Sequence, residues 1–158
     1  MKLLLVVLSF LAVDNDIKHV RELYAKAAYT EDATNQLINY LSDKKELSPL
    51  LLGYKGSATA LLAKYSINPY RKVKYFNAGV AVVEKAIKKE PSNFELRYIR
   101  FSIQTNAPGF LGYYDNIASD KSFLLKGISA ISDQDLKKNV TAFLKSSTEV
   151  TKAEKQKI

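Results

Sequence analysis

Apolar side chains recur along this chain at the spacing of an α-helix, in blocks that each begin at a capping residue. Ile17, Val20, Tyr24, Ala27 and Ala28 fall on one helical face, because residues three, four and seven apart stack on the same side of a helix. The same spacing returns in Ala33, Leu37, Tyr40 and Leu41 after Thr30. It returns again in Leu51, Leu52, Tyr54, Ala58, Leu61, Leu62 and Tyr65 after Ser48–Pro49, and in Tyr70, Val73, Phe76, Val80, Val83 and Ile87 after Asn68–Pro69. A Ser, Thr or Asn oxygen satisfies a free N–H at a helix start, and Pro in the first turn has no N–H to leave unpaired. Glu31 and Asp32 oppose the positive end of their helix.

Pro91 ends the fourth block. Ser92 and Glu95 have capping-box spacing ahead of Phe94, Leu96, Tyr98, Ile99, Phe101 and Ile103. Asn106 to Gly109 breaks the pattern, and Phe110 to Ile117 reads as a short turn or helix. Ser119 or Asp120 then opens a run with Phe123, Leu124, Leu125 and Ile128. Ser132 and Asp135 open one with Leu136, Val140, Phe143 and Leu144. No stretch alternates as a strand would. The pattern predicts one all-α domain of about six or seven helices, and short connections predict antiparallel hairpins.

Composition narrows the chemistry. The 158 residues include no Cys and one His, which excludes disulfides, thiolate metal sites, a cysteine nucleophile and multi-histidine zinc. The acidic pairs Asp14, Asp16 and Asp133, Asp135 lack the Gly and Glu of a calcium loop, so no metal is expected. Gly53–Gly56 and Gly109–Gly112 lack the pattern of a phosphate-cradling loop, so no cofactor is expected. The net charge of +8 is spread over pairs such as Lys44–Lys45, Lys88–Lys89 and Lys137–Lys138. That spread reads as a solvated surface rather than the single stripe of a nucleic-acid reader.

Residues 1–13 differ in kind. Met1–Lys2 precede an apolar run from Leu3 to Val13, broken only by Ser9. This is a signal-peptide pattern, too short for a mature transmembrane helix. It places the chain in the periplasm or outside the cell, with the cytoplasm as the alternative. The helical domain then covers 14–145, and 146–158 reads as a frayed or disordered basic tail.

The stretch from Leu51 to Phe101, with Gly79, Val83, Ala86, Ile87 and Pro91, resembles a tetratricopeptide repeat. The string Arg100–Phe101, Asn106, Pro108, Phe110–Tyr113, Asn116–Ile117 and Asp120–Lys121 is similar to a family of small uncharacterised exported bacterial proteins. These resemblances imply an all-helical, repeat-like periplasmic or secreted protein, and no particular reaction.

The candidate binding residues are Arg97, Arg100, Gln104, Asn106, Tyr113, Asn116, Asp120 and Lys121, gathered around a Pro–Gly break. Arg97, Arg100 and Gln104 share a helix face. Two readings stay open. The guanidiniums hold a carboxylate or phosphate through paired donors, or one pairs with Asp115 or Asp120 and pins the loop while Asn106 and Asn116 cap helix ends.

Lys64 to Phe76 interleaves cations with aromatics. It reads as a helix start with Tyr70, Val73 and Phe76 inward and the cations in water, so nucleic acid is not the expected partner. His19 lies near Asp16 and Glu22, but no nucleophile accompanies it. The expected role is a non-catalytic binding or scaffolding module for a protein or peptide, using the groove that stacked hairpins leave. The alternative is a small-molecule or anion binder, or a hydrolase, using Arg97, Arg100, Asn116 and Asp120.

Overall fold

The computed structural model of the chain describes residues 16–158. The signal-peptide reading of 1–13 lies outside the described residues. The described residues contain helices and no strand. They are α1 (16–27), α2 (Glu31–Ser42), α3 (Pro49–Tyr65), α4 (Pro69–Lys89), α5 (Phe94–Asn106), α6 (Ile117–Gly127), α7 (Gln134–Ser146) and α8 (Lys152–Lys155), with single 3₁₀ turns at Gly109–Leu111 and Ile128–Ala130. Among the described residues no helix is long and apolar enough to cross a membrane.

The early helix starts sit on the expected caps. Thr30 accepts from the Ala33 N–H at 3.2 Å, Ser48 from Leu51 at 3.3 Å and Asn68 from Arg71 at 3.2 Å. The later starts move. Asn93, not Ser92, caps α5 by accepting from Leu96 at 3.0 Å, and Asp133, not Ser132, caps α7 by accepting from Leu136 at 3.0 Å. Neighbouring residues of similar capping strength compete there, and the turn itself selects one. α6 starts at Ile117, before the expected Ser119 or Asp120. Asp120 is drawn inward by arginines instead of capping.

The chain forms two compact units that divide between Val82 and Val83, within α4. In the first, α1 and α2 run antiparallel. The Thr34 hydroxyl donates to the Ala27 carbonyl at 2.9 Å near their turn, while Lys44 reaches Asp16 at 2.7 Å at the far end. α3 follows the direction of α1, since Ser57 meets the Tyr24 hydroxyl and the Tyr65 hydroxyl donates to Ala27 at 2.7 Å.

The buried face of α3 is not the leucine stripe expected from spacing. It is Gly53, Tyr54, Gly56, Ser57, Ala58 and Ala60, with the leucines half-buried on its shoulders. The cause is the approach of α4. A Cβ on Gly79 would lie 2.5 Å from the Gly56 carbonyl oxygen and against the Ala60 amide, so the two backbones touch and only small residues fit between them. Tyr70 and Val73 also depart from expectation. Both are exposed, and of the expected trio only Phe76 is buried.

In the second unit α5 and α6 run antiparallel, with Phe94 against Gly127 at one end and Arg100 against Asp120 at the other. Phe101, Leu124, Ile128, Leu136, Val140, Leu144 and Val150 form its core. Phe143 stands edge-on to both Tyr98 and Phe101, a favoured arrangement of ring quadrupoles.

The tail from 146 to 158 is not frayed. Val150 is buried, Ile158 packs against the core, and Thr151 with Glu154 makes a reciprocal capping box for α8. Lys121 ties the segment down through the Glu149 carbonyl at 3.0 Å. Two isolated apolar anchors leave no helical period in the sequence, which is why the segment reads as a tail.

Candidate functional site: a buried ion network beneath the α5–α6 loop

Asp120 enters the second unit from the first turn of α6 and is fully buried. Its carboxylate accepts from Arg100 Nε at 2.7 Å, from Arg100 Nη2 at 2.8 Å, and from Arg97 Nε. The paired contact with Arg100 is the fork-on-carboxylate geometry that only a guanidinium supplies. The third edge of Arg100 donates to Glu84 at 3.0 Å, and the Tyr113 hydroxyl donates to the other Glu84 oxygen at 2.6 Å. Arg97 spans the rim, donating to the Pro91 carbonyl at 3.3 Å, with its guanidinium 4.7 Å from the centre of the Phe123 ring. Two cations thus face two carboxylates, and the set is neutral.

Burial by itself would lower the Arg100 pKa. Asp120 and Glu84 outweigh it and hold that pKa above its ordinary value. Burial, then the hydrogen bond to Glu84, pushes the Tyr113 phenol far above its ordinary value of 10.0, because ionising it would place an anion beside a carboxylate. Both groups therefore keep a single protonation state across physiological pH.

The network sits under the loop between α5 and α6. That loop makes its 3₁₀ turn at Gly109–Leu111, reverses at Gly112 with φ of 66°, and then drops Tyr113 onto Glu84. A φ of that sign is costly for any side chain with a Cβ. Phe110 and Tyr114, on either side of the reversal, point into solvent.

Four of the eight sequence-derived candidates meet here: Arg97, Arg100, Tyr113 and Asp120. Gln104 lies one turn further along α5, is buried, and its amide makes no hydrogen bond with the described residues. Asn106 donates to the Ser102 carbonyl at 2.8 Å and closes the end of α5. Asn116 precedes α6, but its side chain makes no capping bond there. Lys121 faces away toward Glu149 and Glu154. Sequence reasoning missed Glu84. Its signal is a carboxylate between Val80 and Ile87 at helical spacing, a charge on an otherwise apolar stripe.

In the first unit His19 packs edge-on against Tyr40, while the Asp16 carboxylate is occupied by Tyr40 and Lys44. Lys18 and Glu22 line one surface cleft with His19, Asp16 and Tyr40. Among the described residues no group of three or more His, Asp and Glu side chains is placed to hold a metal. Compared with protein-family models, curated proteins and solved structures, the chain matches none.

Proposed function

We propose that the chain is a non-catalytic, exported binding or scaffolding module for a protein or peptide, its hairpins stacked in the tetratricopeptide-like manner, with the α5–α6 loop as its recognition element. The observation that carries this reading is the pairing of solvent-facing Phe110 and Tyr114 with a neutral, hydrogen-bonded network that holds their loop from below. A loop held in one conformation loses little freedom on binding, so exposed aromatics on it are effective anchors. The opposite directions of α1 and α2, and of α5 and α6, support a hairpin within each unit. The anion-binding and hydrolase alternatives are less well supported. Both guanidiniums are engaged by Asp120, which is buried, and Arg100 also by Glu84, so an incoming anion would compete with carboxylates already in place.

The test is a photo-cross-linking residue at position 110, with position 137 on α7 as control. The expected result is a discrete polypeptide adduct from envelope extract, specific to position 110. The captured protein, once purified, should then bind Tyr114→Ala at least about tenfold more weakly. Equal adducts from 110 and 137, or unchanged affinity in Tyr114→Ala, would remove the loop from the account. Sequencing the N-terminus of the native protein tests export.

A further inference from the structure

The first unit carries a second, separate feature that recognition by the α5–α6 loop does not use. The turn before α2 and the turn before α4 lie at the same end of this unit, because Lys64 donates to the Ala28 carbonyl at 2.7 Å and Glu31 shares a cleft with Ile67 and Asn68. Three large side chains project from that end: Tyr29 at 82% exposure, Ile67 at 96% and Tyr70 at 76%. Val73, one helical turn beyond Tyr70, is also exposed. Tyr70 and Val73, three apart, make an outward apolar stripe on the start of α4, and Ile67 projects from the turn just before it. Every residue from Pro69 to Lys74 is exposed, so none of the described residues covers these turns.

The stripe is embedded in positive charge. From Lys64 to Phe76 the chain places Lys64, Arg71, Lys72 and Lys74 and no acid. Glu31 stands on the wall of the adjoining cleft, and Asp32 beside it accepts from Gln36 at 2.7 Å. Exposed apolar tips ringed by long cations suit a surface that is anionic outside and apolar a few ångströms within. Tyr rings settle at headgroup depth, with the hydroxyl in water and the ring in the acyl boundary. An aliphatic tip goes deeper, and Lys and Arg stems reach back to the phosphates.

A bound peptide would instead need a walled groove. The adjoining cleft, of about 400 Å³, mixes Glu31, Asn35 and Asn68 with Leu62 and Tyr65, so it offers no continuous apolar floor. We infer that this end of the first unit docks on an anionic lipid surface, with Ile67 and Tyr70 inserted and Arg71, Lys72 and Lys74 on the headgroups.

The chain has no Cys, so Ile67→Cys creates a single thiol for a polarity-sensitive fluorophore. Glu46→Cys, in the α2–α3 loop at the other end of the same helices, is the control. Full-length protein is mixed with vesicles of phosphatidylcholine alone, or of phosphatidylcholine and phosphatidylglycerol in equal parts. The expected result is a blue-shifted, brighter emission at position 67 with the anionic vesicles only, and none at position 46.

In cosedimentation, Ile67→Asp should weaken partitioning about tenfold. Lys72→Glu with Lys74→Glu should weaken it at least about 25-fold, from about fivefold per removed cation. Both variants change only exposed side chains, so their melting temperatures should equal that of the parent. Three results would overturn the inference. These are no emission change at 67, vesicle binding indifferent to Ile67→Asp, or tighter binding of single-stranded DNA or polyglutamate through Tyr70, which would assign the face to a polymer.

Discussion

The two units hold their helices together by opposite means. In the first, α3 and α4 meet through small residues, and the Gly56–Ala60 stretch lies directly on Gly79. An ion cluster in it, Asp16 with Lys44 and Tyr40, lies near the surface, with side chains 33% and 23% exposed for the ion pair. In the second, large side chains fill the core and the Arg100–Asp120 pair is buried, with Asp120 at 0% and Arg100 at 7%, while Glu84, which takes the phenol, is 40% exposed. A cation and a carboxylate therefore pair in very different solvent in the two units. The contrast shows that a polar cluster specifies structure in proportion to what water would otherwise supply. Near the surface water replaces a lost partner, whereas inside nothing does.

Breaking the buried cluster should have the largest effect. Arg100→Ala leaves Asp120 buried with one fork removed and Glu84 short of a donor, and should cost about 3–5 kcal/mol in denaturant unfolding. A loss below about 1 kcal/mol would show that water reaches the cluster. Gly79→Ala breaks the first unit in its own way, by forcing two backbones apart, and should cost about 3 kcal/mol. Unchanged stability there would mean that the helices separate freely.

Tyr113→Phe leaves one Glu84 oxygen without its donor, but water reaches that half-exposed carboxylate, so the cost should be about 1 kcal/mol near neutral pH. It also carries a pH signature. The folded pKa is raised, so the phenol's contribution is complete below the ordinary value of 10.0. As pH rises past that value the unfolded phenol ionises while the folded one does not, and stability falls. Melting curves should show the parent losing more than Tyr113→Phe above pH 10.

Gln104→Met sharpens the comparison from the other side. It replaces a buried amide that lacks a hydrogen bond by an apolar chain of similar size, and should raise stability by about 1 kcal/mol. A loss instead would mean that the amide is hydrated. The smallest effect belongs to Lys44→Ala, under about 1 kcal/mol and weaker in high salt. Lys44 and Tyr40 hold the Asp16 pKa below its ordinary 3.8. Their contribution is present above that value and fades as pH falls through the lowered one. The parent should lose slightly more than Lys44→Ala in acid.

How far the site could be read from the chain depends on separation along it. Arg97, Arg100 and Gln104 are one helix face by spacing alone, and Asp120 is one of two acids, with Asp115, in the segment that follows. Glu84 is sixteen residues before Arg100, and no local rule joins them. Only the turn at Pro91 that folds α4 back on α5 does so. Tyr70 and Val73 mislead for a related reason. They have the right spacing for burial, but the start of α4 runs beyond the residues that would cover it.

What the sequence by itself determined is the local part. Helical period, capping at Thr30, Ser48 and Asn68, and the stop at Pro91 are satisfied within a turn of each residue, so they are visible in one dimension. What only the tertiary structure decided is which faces are dry. Gly79 rather than a leucine stripe sets the α3–α4 contact, Arg100 is spent on Asp120 and Glu84, and Val150 anchors the tail. Each of these depends on burial, and burial belongs to residues brought together from distant parts of the chain, where solvent exclusion multiplies the strength of every contact and the cost of every missing one.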